Sequence, residues 1–502
     1  VARRIILEKP ESRFDSTKEY TFRNSLYHDV AYAMLPRAYR VSHHQQAAKW
    51  FSGVTTTYPD ALGLLAEHYN QAEQPLDAVK SYTAAAEYHY QRGQLVETLT
   101  LIENGLKSGG KLPREIALPY ASHLWLLKGR VAHTRRRYSE ATADSQTALM
   151  LMNELPDDQL VSERVQASVT LGNAYSSLGN YEDALEALTR SYQLINDVSD
   201  PSQQAAVLRA FGGLFWARGS LQEAELYQRR ALMSAEASGD VRSQAATNAI
   251  LGRIFTDKGL LGDALATFES VYETNKATES LLYQTSDLRH LANIHRLLFD
   301  YETAQSLLDE ATALTERLNY VSPLIHMTQG LVSIGVGEPE KGIVFLRAAM
   351  ANEYYNTYDR YNVHLSFLRG LATTGHWEEC VTEGQMFVES VEKHTPVLYG
   401  RGLLWMGLAQ HALGSPEGQR TLHWAMDNEQ TYGGRDLWMC HYALHLAAED
   451  ETIALEHQQA SMLALAERSQ GLRNRKALRA RATDPTLARQ VFAVWAGVPN
   501  SQ

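Results

Sequence analysis

The stretch GLKSGGK at residues 105–111 has residue types that could bind a nucleotide phosphate. A phosphate-binding loop uses backbone N–H groups and a lysine around the phosphates, and the next Ser or Thr hydroxyl holds magnesium. Here Leu112 stands in place of that hydroxyl, and a helix does not continue easily across Pro113. A helix end followed by a turn explains the same letters through Gly109 and Gly110. We therefore predict no nucleotide site here and no ATP hydrolysis.

Two histidines have a spacing that could bind a metal. His441 and His445 lie four residues apart, which places both imidazoles on one helix face. The letters between them, in HYALH, lack the glutamate of a metalloprotease helix, which favours a structural or surface pair. The two cysteines, Cys380 and Cys440, are too few for a disulfide framework and fit a reducing cytosol. The sequence predicts a cytoplasmic protein with no metal and no cofactor.

Basic runs and a tyrosine stripe could form binding surfaces. Arginines occupy 135–137, and a second run, LRNRKALRARA, covers 472–482. The net charge of −11 argues against charge-driven nucleic-acid binding, so solvated helix faces are the preferred interpretation. Tyr354, Tyr358 and Tyr361 are spaced as a helical stripe, for which core packing is the default and a binding surface is the alternative.

The elements that must position these residues repeat along the chain. The sequence LGNAYSSLGNYEDALEALTRSY at 171–192 returns in modified form at 211, 251 and 291. In each copy a small residue is followed twelve residues later by an alanine, in the pairs Gly172 and Ala184, Gly212 and Ala224, Gly252 and Ala264, Ala292 and Ala304. Between them lies a turn, at Gly179, Gly219, Gly259 and Phe299. Flanking apolar residues at three- and four-residue spacing predict two amphipathic helices per copy, which stack to bury a continuous core.

These positions resemble the tetratricopeptide repeat, whose usual period is 34 residues. The period of about 40 residues here lengthens each helix pair by roughly one and a half turns. Weaker copies extend the array in both directions. The resemblance implies an all-α, right-handed superhelix of repeat-like hairpins. The predicted divisions are a winged-helix-like segment at 1–57, irregular hairpins at 58–114, the array at 115–432 and capping helices at 433–502.

The N-terminal segment differs from the rest. RRIILEK and KEYTFRN alternate apolar and polar residues, a two-strand signature that precedes a helical run. This segment resembles the end of the winged-helix region in bacterial signalling ATPases of the STAND class. The residues that fit that pattern are Phe22, Asp29, Ala31, Tyr32, Arg37, His43 and Ala47. Asn24 departs from it, because the family has a histidine there.

The tetratricopeptide resemblance also implies a binding groove. In that family the first helix of each pair lines a concave face, and its lining positions can be carried over copy by copy. They hold Arg130, His133, Asn173, Arg209, Trp216, Arg253, Arg289, Asn293, Arg296 and Arg369. Six arginines on one face of an acidic chain predict an acidic peptide or a phosphorylated small molecule as ligand. The alternatives are a solvated groove, or arginines paired with acids of neighbouring helices.

These observations predict an interaction and sensing module rather than an enzyme. The N-terminal resemblance implies the C-terminal sensor region of a larger signalling ATPase, with self-association through that ATPase. Two alternatives stay open: a stand-alone adaptor scaffold that binds a partner protein, and the ligand-sensing region of a transcription activator. The expected partner is a protein or peptide, and neither a membrane nor a nucleic acid is predicted as one.

Overall fold

The computed structural model describes seven stretches of the chain: 5–15, 17–195, 200–318, 322–351, 356–392, 395–472 and 474–492. They contain 25 α-helices, one short 3-10 helix and a two-stranded sheet, which confirms the predicted all-α class. Within these stretches, no helix is both long enough and apolar enough to cross a membrane. The chain divides into two compact units, Val1–Ala174 and Tyr175–Gln502.

The first unit begins with a β-hairpin. Strands β1 (Ile6–Glu8) and β2 (Tyr20–Phe22) pair antiparallel, as the alternating pattern predicts. Asn24 accepts a hydrogen bond of 2.8 Å from the Leu26 N–H and caps the next helix, so the residue that departs from the winged-helix pattern has a local structural role. The helices are α1 (Ser25–Met34), α2 (Arg37–Val54), α3 (Leu62–Gln71), α4 (Pro75–Gln91), α5 (Leu95–Gly109), α6 (Arg114–Thr134), α7 (Tyr138–Met152) and α8 (Val161–Leu178), which crosses the division in the chain.

The second unit continues with helices joined mostly by short turns. They are α9 (Tyr181–Leu194), α10 (Pro201–Ala217), α11 (Leu221–Ser238), α12 (Val241–Asp257), α13 (Leu261–Ala277), α14 (Leu281–Leu297), α15 (Tyr301–Arg317), α16 (Pro323–Gly335), α17 (Pro339–Met350), α18 (Thr357–Thr373), α19 (Trp377–Val391), α20 (Pro396–Ala412), α21 (Glu417–Tyr432), α22 (Leu437–Ala447), α23 (Glu451–Glu467), α24 (Lys476–Ala482) and α25 (Pro485–Gln490). The last three regular copies are therefore the hairpins α10–α11, α12–α13 and α14–α15, and the first copy covers the end of α8 and most of α9.

The turn inside each regular hairpin uses left-handed backbone. Gly179, Gly219 and Gly259 have φ between 78° and 83°, and Phe299 in the fourth copy has φ of 61°. Glycine adopts this conformation without steric cost, whereas a residue with a Cβ does so rarely. Phe299 is held there by burial, since only 4% of it is exposed and it packs against Trp438 at 5.9 Å.

The small residues of the repeat let the paired helices approach closely. A Cβ at Gly212 would lie 2.5 Å from Gln228, and one at Gly252 would lie 2.6 Å from the Phe268 ring. The alanines of the second helices, including Ala224 and Ala264, are fully buried. In the second and third copies, the small residue and the alanine of the repeat therefore mark the contact line between the two helices.

The phosphate-loop candidate is a helix end. Helix α5 ends at Gly109, and the chain turns before α6 begins at Arg114. Lys111 donates a hydrogen bond of 2.8 Å to the Asn70 side chain. No strand directly precedes these residues in the described part of the first unit, so the interpretation as a helix C-terminus is confirmed.

The last helices of the second unit pack against its repeats. Leu472 and Ala482 belong to the same buried cluster as Leu265 of α13 and Leu291 of α14. The backbone of Gly471 lies so close to α13 that a Cβ on Gly262 would sit 2.6 Å from its carbonyl carbon. Gly471, Leu472 and Ala482 therefore contact the third and fourth regular hairpins, which are far from them in sequence.

Candidate functional site

A cavity in the second unit is bordered by helices of several hairpins. Its volume is about 80 Å³, room for several waters or for one carboxylate or phosphate group. The lining comes from α10, α12, α14, α16, α18 and the loop before α22. Its residues are Trp216, Arg253, Thr256, Asp257, Arg289, His290, Asn293, Leu324, Met327, Tyr358, Asp359, Asn362 and Arg435. Four of the residues predicted for ligand binding are among them: Trp216, Arg253, Arg289 and Asn293.

Asp257, at the end of α12, is the most heavily bonded acid of this cavity. Its carboxylate accepts hydrogen bonds from the Trp216 indole at 2.9 Å and from the Tyr358 hydroxyl at 3.3 Å. It also accepts from Arg401 at 2.9 Å and Arg435 at 3.3 Å. Burial alone would raise the pKa of Asp257, but the charges of Arg401 and Arg435 hold this pKa below its ordinary value. The carboxylate therefore stays ionised and satisfied.

Arg253 is fixed beside the cavity by an aromatic face and an acid. Its guanidinium carbon lies 3.8 Å from the centroid of the Trp216 ring, a cation–π contact. One terminal nitrogen lies 3.7 Å from an Asp359 carboxylate oxygen, which is an ion pair longer than a hydrogen bond. Trp216 is oriented in turn by its bond to Asp257, so the arginine is positioned by a rigid support.

Arg289 is positioned through a neutral histidine. Its NH2 group lies 2.7 Å from Nε2 of His290, whose ring stacks on Phe268 at 4.6 Å and 9°. Burial, followed by the charges of Arg289 and Arg253, lowers the pKa of His290 well below its ordinary value. The imidazole is therefore neutral at pH 7 and accepts the hydrogen bond from Arg289.

The charges of the lining favour an anion. Among the described residues, three arginines and two aspartates line the cavity, so with His290 neutral these side chains carry one excess positive charge. Asp257 is already satisfied, and Arg253 and Arg289 each carry a guanidinium, a group whose shape and charge suit a carboxylate or phosphate. No group of three or more His, Cys, Asp or Glu in the described stretches is arranged to hold a metal ion.

Arg401 is not part of the cavity lining, but it holds the lining residue Asp257 in place. The side chain is 1% exposed and contacts Asp257, Glu429 and Asp436 at 2.9, 3.0 and 3.2 Å. Burial opposes its charge, but the three acids raise the pKa of Arg401 above its ordinary value. Arg435 adds a bond of 2.9 Å to Asp436. A buried ion network therefore joins α12 to α20 and to the segment around residue 435.

The other predicted residues of the second unit lie outside the cavity lining. Arg209 donates a hydrogen bond of 2.8 Å to Ser243. Arg296 donates to Asn293 at 2.8 Å and is 6% exposed, and Arg369 stacks over Trp405 at 5.4 Å.

The remaining three predicted residues belong to the first unit. Arg130 lies 3.4 Å from the Glu87 carboxylate and 4.4 Å from the Tyr90 ring centroid. His133 packs edge-on to Tyr138 at 5.5 Å, and burial lowers its pKa. Asn173 is half-buried on α8. The pairing of Arg130 with Glu87 matches the alternative in which groove arginines bind acids of a neighbouring helix.

The histidine pair and the tyrosine stripe have structural partners. His441 Nδ1 lies 3.2 Å from His457 Nδ1, and His445 contacts the Ala454 carbonyl at 2.8 Å. Tyr358 is 7% exposed and Tyr361 donates to the Ser390 carbonyl at 3.2 Å. Both agree with the packing interpretations, although Tyr358 also lines the cavity.

The basic run at 472–482 also has partners in the structure. Arg475 binds Glu269 at 2.8 Å, and Arg481 lies 3.6 Å from Asp300. Tyr354 and Arg473, which belong to the predicted stripe and run, lie outside the described residues.

The acid at the centre of the site was missed by sequence reasoning, although a signal for it exists. Asp257 lies five residues after the small position of its copy. The equivalent residues are Ser177, Ala217 and Leu297, so a charge occurs in one copy of four. A lone acid at a small or apolar repeat position marks a place where an outside partner must compensate the charge. Its partner Arg401 is 144 residues away in sequence.

Comparison with known proteins supports the repeat. Residues 163–237 match the family model described as tetratricopeptide repeat. Among curated proteins, none matches this chain in sequence. A solved Rap protein complexed with competence and sporulation factor is 11% identical over 84% of this chain and 98% of its own, with a TM-score of 0.42. Aspartyl phosphate phosphatase F from Bacillus subtilis is 14% identical over 71% of this chain and 94% of its own, with a TM-score of 0.47.

A third solved structure is a signal transduction ATPase with numerous domains from Pyrococcus horikoshii, which carries a tetratricopeptide repeat sensor. It is 11% identical over 82% of this chain and 56% of its own, with a TM-score of 0.43. With TM-scores below 0.5, these similarities identify neither a ligand nor an activity. The family match and the stacked hairpins define a helical-repeat protein, a class whose surfaces serve as interaction scaffolds.

Proposed function

We propose that the second unit is a sensor that binds the acidic group of a peptide or phosphorylated small molecule in the cavity beside Trp216. The observation that carries the proposal is the placement of Arg253 and Arg289 in the lining of one small cavity, each fixed by an aromatic or histidine support. Supports that hold a guanidinium in place reduce the entropy lost on binding, which increases affinity.

A binding titration tests this function. A fluorescein-labelled pool of peptides with clustered Asp and Glu is titrated with the chain and with the double variant Arg253→Gln, Arg289→Gln. Loss of two charge-assisted contacts, each worth about 1.5–3 kcal/mol, is expected to weaken binding by about a hundredfold or more. Binding by the unchanged chain should also weaken with salt, because dissolved ions screen the attraction between the acidic peptides and the positively charged lining as they approach each other.

The matched control replaces two exposed arginines, as Arg242→Gln, Arg317→Gln. This variant should bind like the unchanged chain, and a pool with Asn and Gln in place of the acids should not bind. Equal affinity of the cavity variant and the control variant would refute the proposal. A cavity variant that melts at lower temperature and keeps its affinity would show that these arginines are structural.

We further propose that this sensor belongs to a cytoplasmic signalling ATPase that precedes it in the polypeptide. The strand–helix segment at the start of the first unit supports this proposal. Helix α1 has no buried residue, and Leu26, Val30 and Met34, spaced four apart on one face, are each more than half exposed. An apolar helix face of this kind fits cover by another domain. A coding sequence with no nucleotide-binding domain upstream of Val1 would favour the stand-alone adaptor instead.

A further inference from the structure

A second group of arginines lies inside the second unit and outside the cavity. Arg296 is near the end of α14, Arg369 is on α18, and Arg468 follows the end of α23. Arg296 and Arg468 are each 6% exposed, and Arg369 is partly buried. None of the three belongs to the cavity lining.

Arg468 forms a contact between the C-terminal helices and the fourth regular copy of the repeat. Its NH2 group donates a hydrogen bond of 2.6 Å to the carbonyl of Leu297, the residue after Arg296. Its guanidinium also lies 5.4 Å from the Trp438 ring and 5.9 Å from the Phe299 ring. Arg468 therefore contacts the last turn of α14, the turn that also carries Arg296.

Arg369 is linked to Arg468 by a cluster of aromatic rings. It stacks over Trp405 at 5.4 Å, and Trp405 and Trp438 both contact the Phe492 ring, at 6.3 and 6.0 Å. Trp438 in turn supports Arg468. Burial lowers the pKa values of both Arg296 and Arg468, and the charge of Arg369 lowers them further, as expected for nearby like charges.

Among the described residues, none of the three arginines has a carboxylate as a direct partner. In the described part of the unit, no carboxylate oxygen lies within 4.0 Å of their guanidinium nitrogens. Asp436 is the acid that acts on them electrostatically. It is already bound by Arg435 at 2.9 Å and Arg401 at 3.2 Å. Burying several positive charges close together costs folding free energy unless an anion neutralises them.

Arg468 also has donors without acceptors. Its Nε and NH1 atoms are buried and have no hydrogen-bond partner. Burial, opposed by the charge of Asp436, lowers the pKa of Arg468 to about 10, so the side chain remains charged at pH 7. An orphaned buried donor costs free energy and points to a bound water or ion. The N–H groups on these two nitrogens of the guanidinium can donate hydrogen bonds to two oxygens of an oxyanion.

We propose that Arg296, Arg369 and Arg468 form a buried site for one small oxyanion, a phosphate or a carboxylate, that joins α14 and α18 to the end of α23. This site goes beyond the ligand cavity of the proposed function and uses none of its lining residues. Because Arg468 comes from the C-terminal helices, anion binding stabilises their contact with the repeats.

Thermal unfolding of the whole chain, followed by far-ultraviolet circular dichroism, tests the site. Sodium phosphate and sodium acetate are titrated separately at constant ionic strength, with sodium chloride as the balance. The unchanged chain is expected to melt at a temperature higher by about 2 °C or more, with saturation, in one of the two anions. Saturation in phosphate alone identifies a phosphate site, and saturation in acetate alone identifies a carboxylate site.

Arg468→Met and Arg369→Met are expected to lose the saturable rise, whereas Arg317→Met, at an exposed position, keeps it. In chloride alone Arg468→Met should melt no lower than the unchanged chain, because it removes an uncompensated buried charge. The rise must also persist in the double variant Arg253→Gln, Arg289→Gln, which separates this site from the cavity. Absence of a saturable rise in both anions, or its retention in both methionine variants, would overturn the proposal.

Discussion

Arg401 and Asp257 form a buried ion pair that holds distant parts of the second unit together. Arg401 contacts three carboxylates, and Asp257 accepts bonds from two arginines, a tryptophan and a tyrosine. Removing two charges from water is costly, and the mutual attraction offsets that cost only when the remaining hydrogen-bonding capacity is filled. Every carboxylate oxygen of Asp257 has a partner, so this condition is met here.

Replacing Asp257 with Asn should therefore destabilise the chain strongly. The change removes one of the carboxylates that compensate the buried positive charges of Arg401 and Arg435. Loss of one partner of a buried pair typically costs about 3–5 kcal/mol. Urea unfolding followed by circular dichroism measures the effect. Asp309→Asn, on the exposed face of α15, should change the free energy of unfolding by less than about 0.5 kcal/mol. Equal midpoints for the two variants would contradict the role of the network.

The sign of the acid dependence follows from the same network. Arg435 and Arg401 hold the pKa of Asp257 and of Asp436 below the ordinary value, against the effect of burial. A carboxylate with a depressed folded-state pKa contributes stability above its unfolded pKa of about 3.9, and this stability is lost as the pH falls through the folded value. The unchanged chain should therefore lose more stability than Asp257→Asn when the pH is lowered below about 4.

At the scale of the elements, the repeated hairpins could be predicted because their signals are local. The small residue, the turn and the alanine of each copy lie within twelve residues. The small residue allows close approach, the turn residue adopts left-handed backbone, and the alanine fills the buried contact line. The two N-terminal strands were also predictable, since alternation is a local pattern. These features require no knowledge of which distant helix packs where.

The contacts that build the site could not be predicted in the same way. Asp257 meets Arg401 across 144 residues and Arg435 across 178. Arg468 meets Leu297 across 171. Periodicity indicates that a helix has an inner face, but it does not indicate which later segment packs on that face. The arginines expected to face a ligand therefore divide between the cavity lining and buried or paired positions elsewhere.

The alanines at the helix contact line give an element-scale prediction. Ala224→Phe and Ala264→Phe place a large ring where the exposed fraction is zero. Overpacking of this kind typically costs about 1–3 kcal/mol. Ala237→Phe, on an exposed position of α11, is the matched control and should melt like the unchanged chain. Differential scanning calorimetry compares the three. An unchanged melting temperature for both core variants would show that the hairpin register is wrong.

At the scale of the whole second unit, the C-terminal helices act as a part of the core rather than as a cover for its last hairpin alone. Leu472 and Ala482 share a buried cluster with α12, α13 and α14. Arg475 binds Glu269 on α13, and Arg468 binds the last turn of α14. The stability of the middle repeats therefore depends on residues that follow them by about 200 positions.

Deleting residues 433–502 tests this dependence. The deletion uncovers the buried cluster around Leu265 and Leu291 and removes Arg435 from Asp257. Amide hydrogen exchange should accelerate in α12–α15, because exchange reports the free energy of local opening. A chain that ends at Phe492 keeps every described contact and is the control. In simple nearest-neighbour stacking, removal of a terminal element would instead accelerate exchange in α20 and α21 first. That pattern, with unchanged protection in α12–α15, would show that the C-terminal helices do not stabilise the middle repeats.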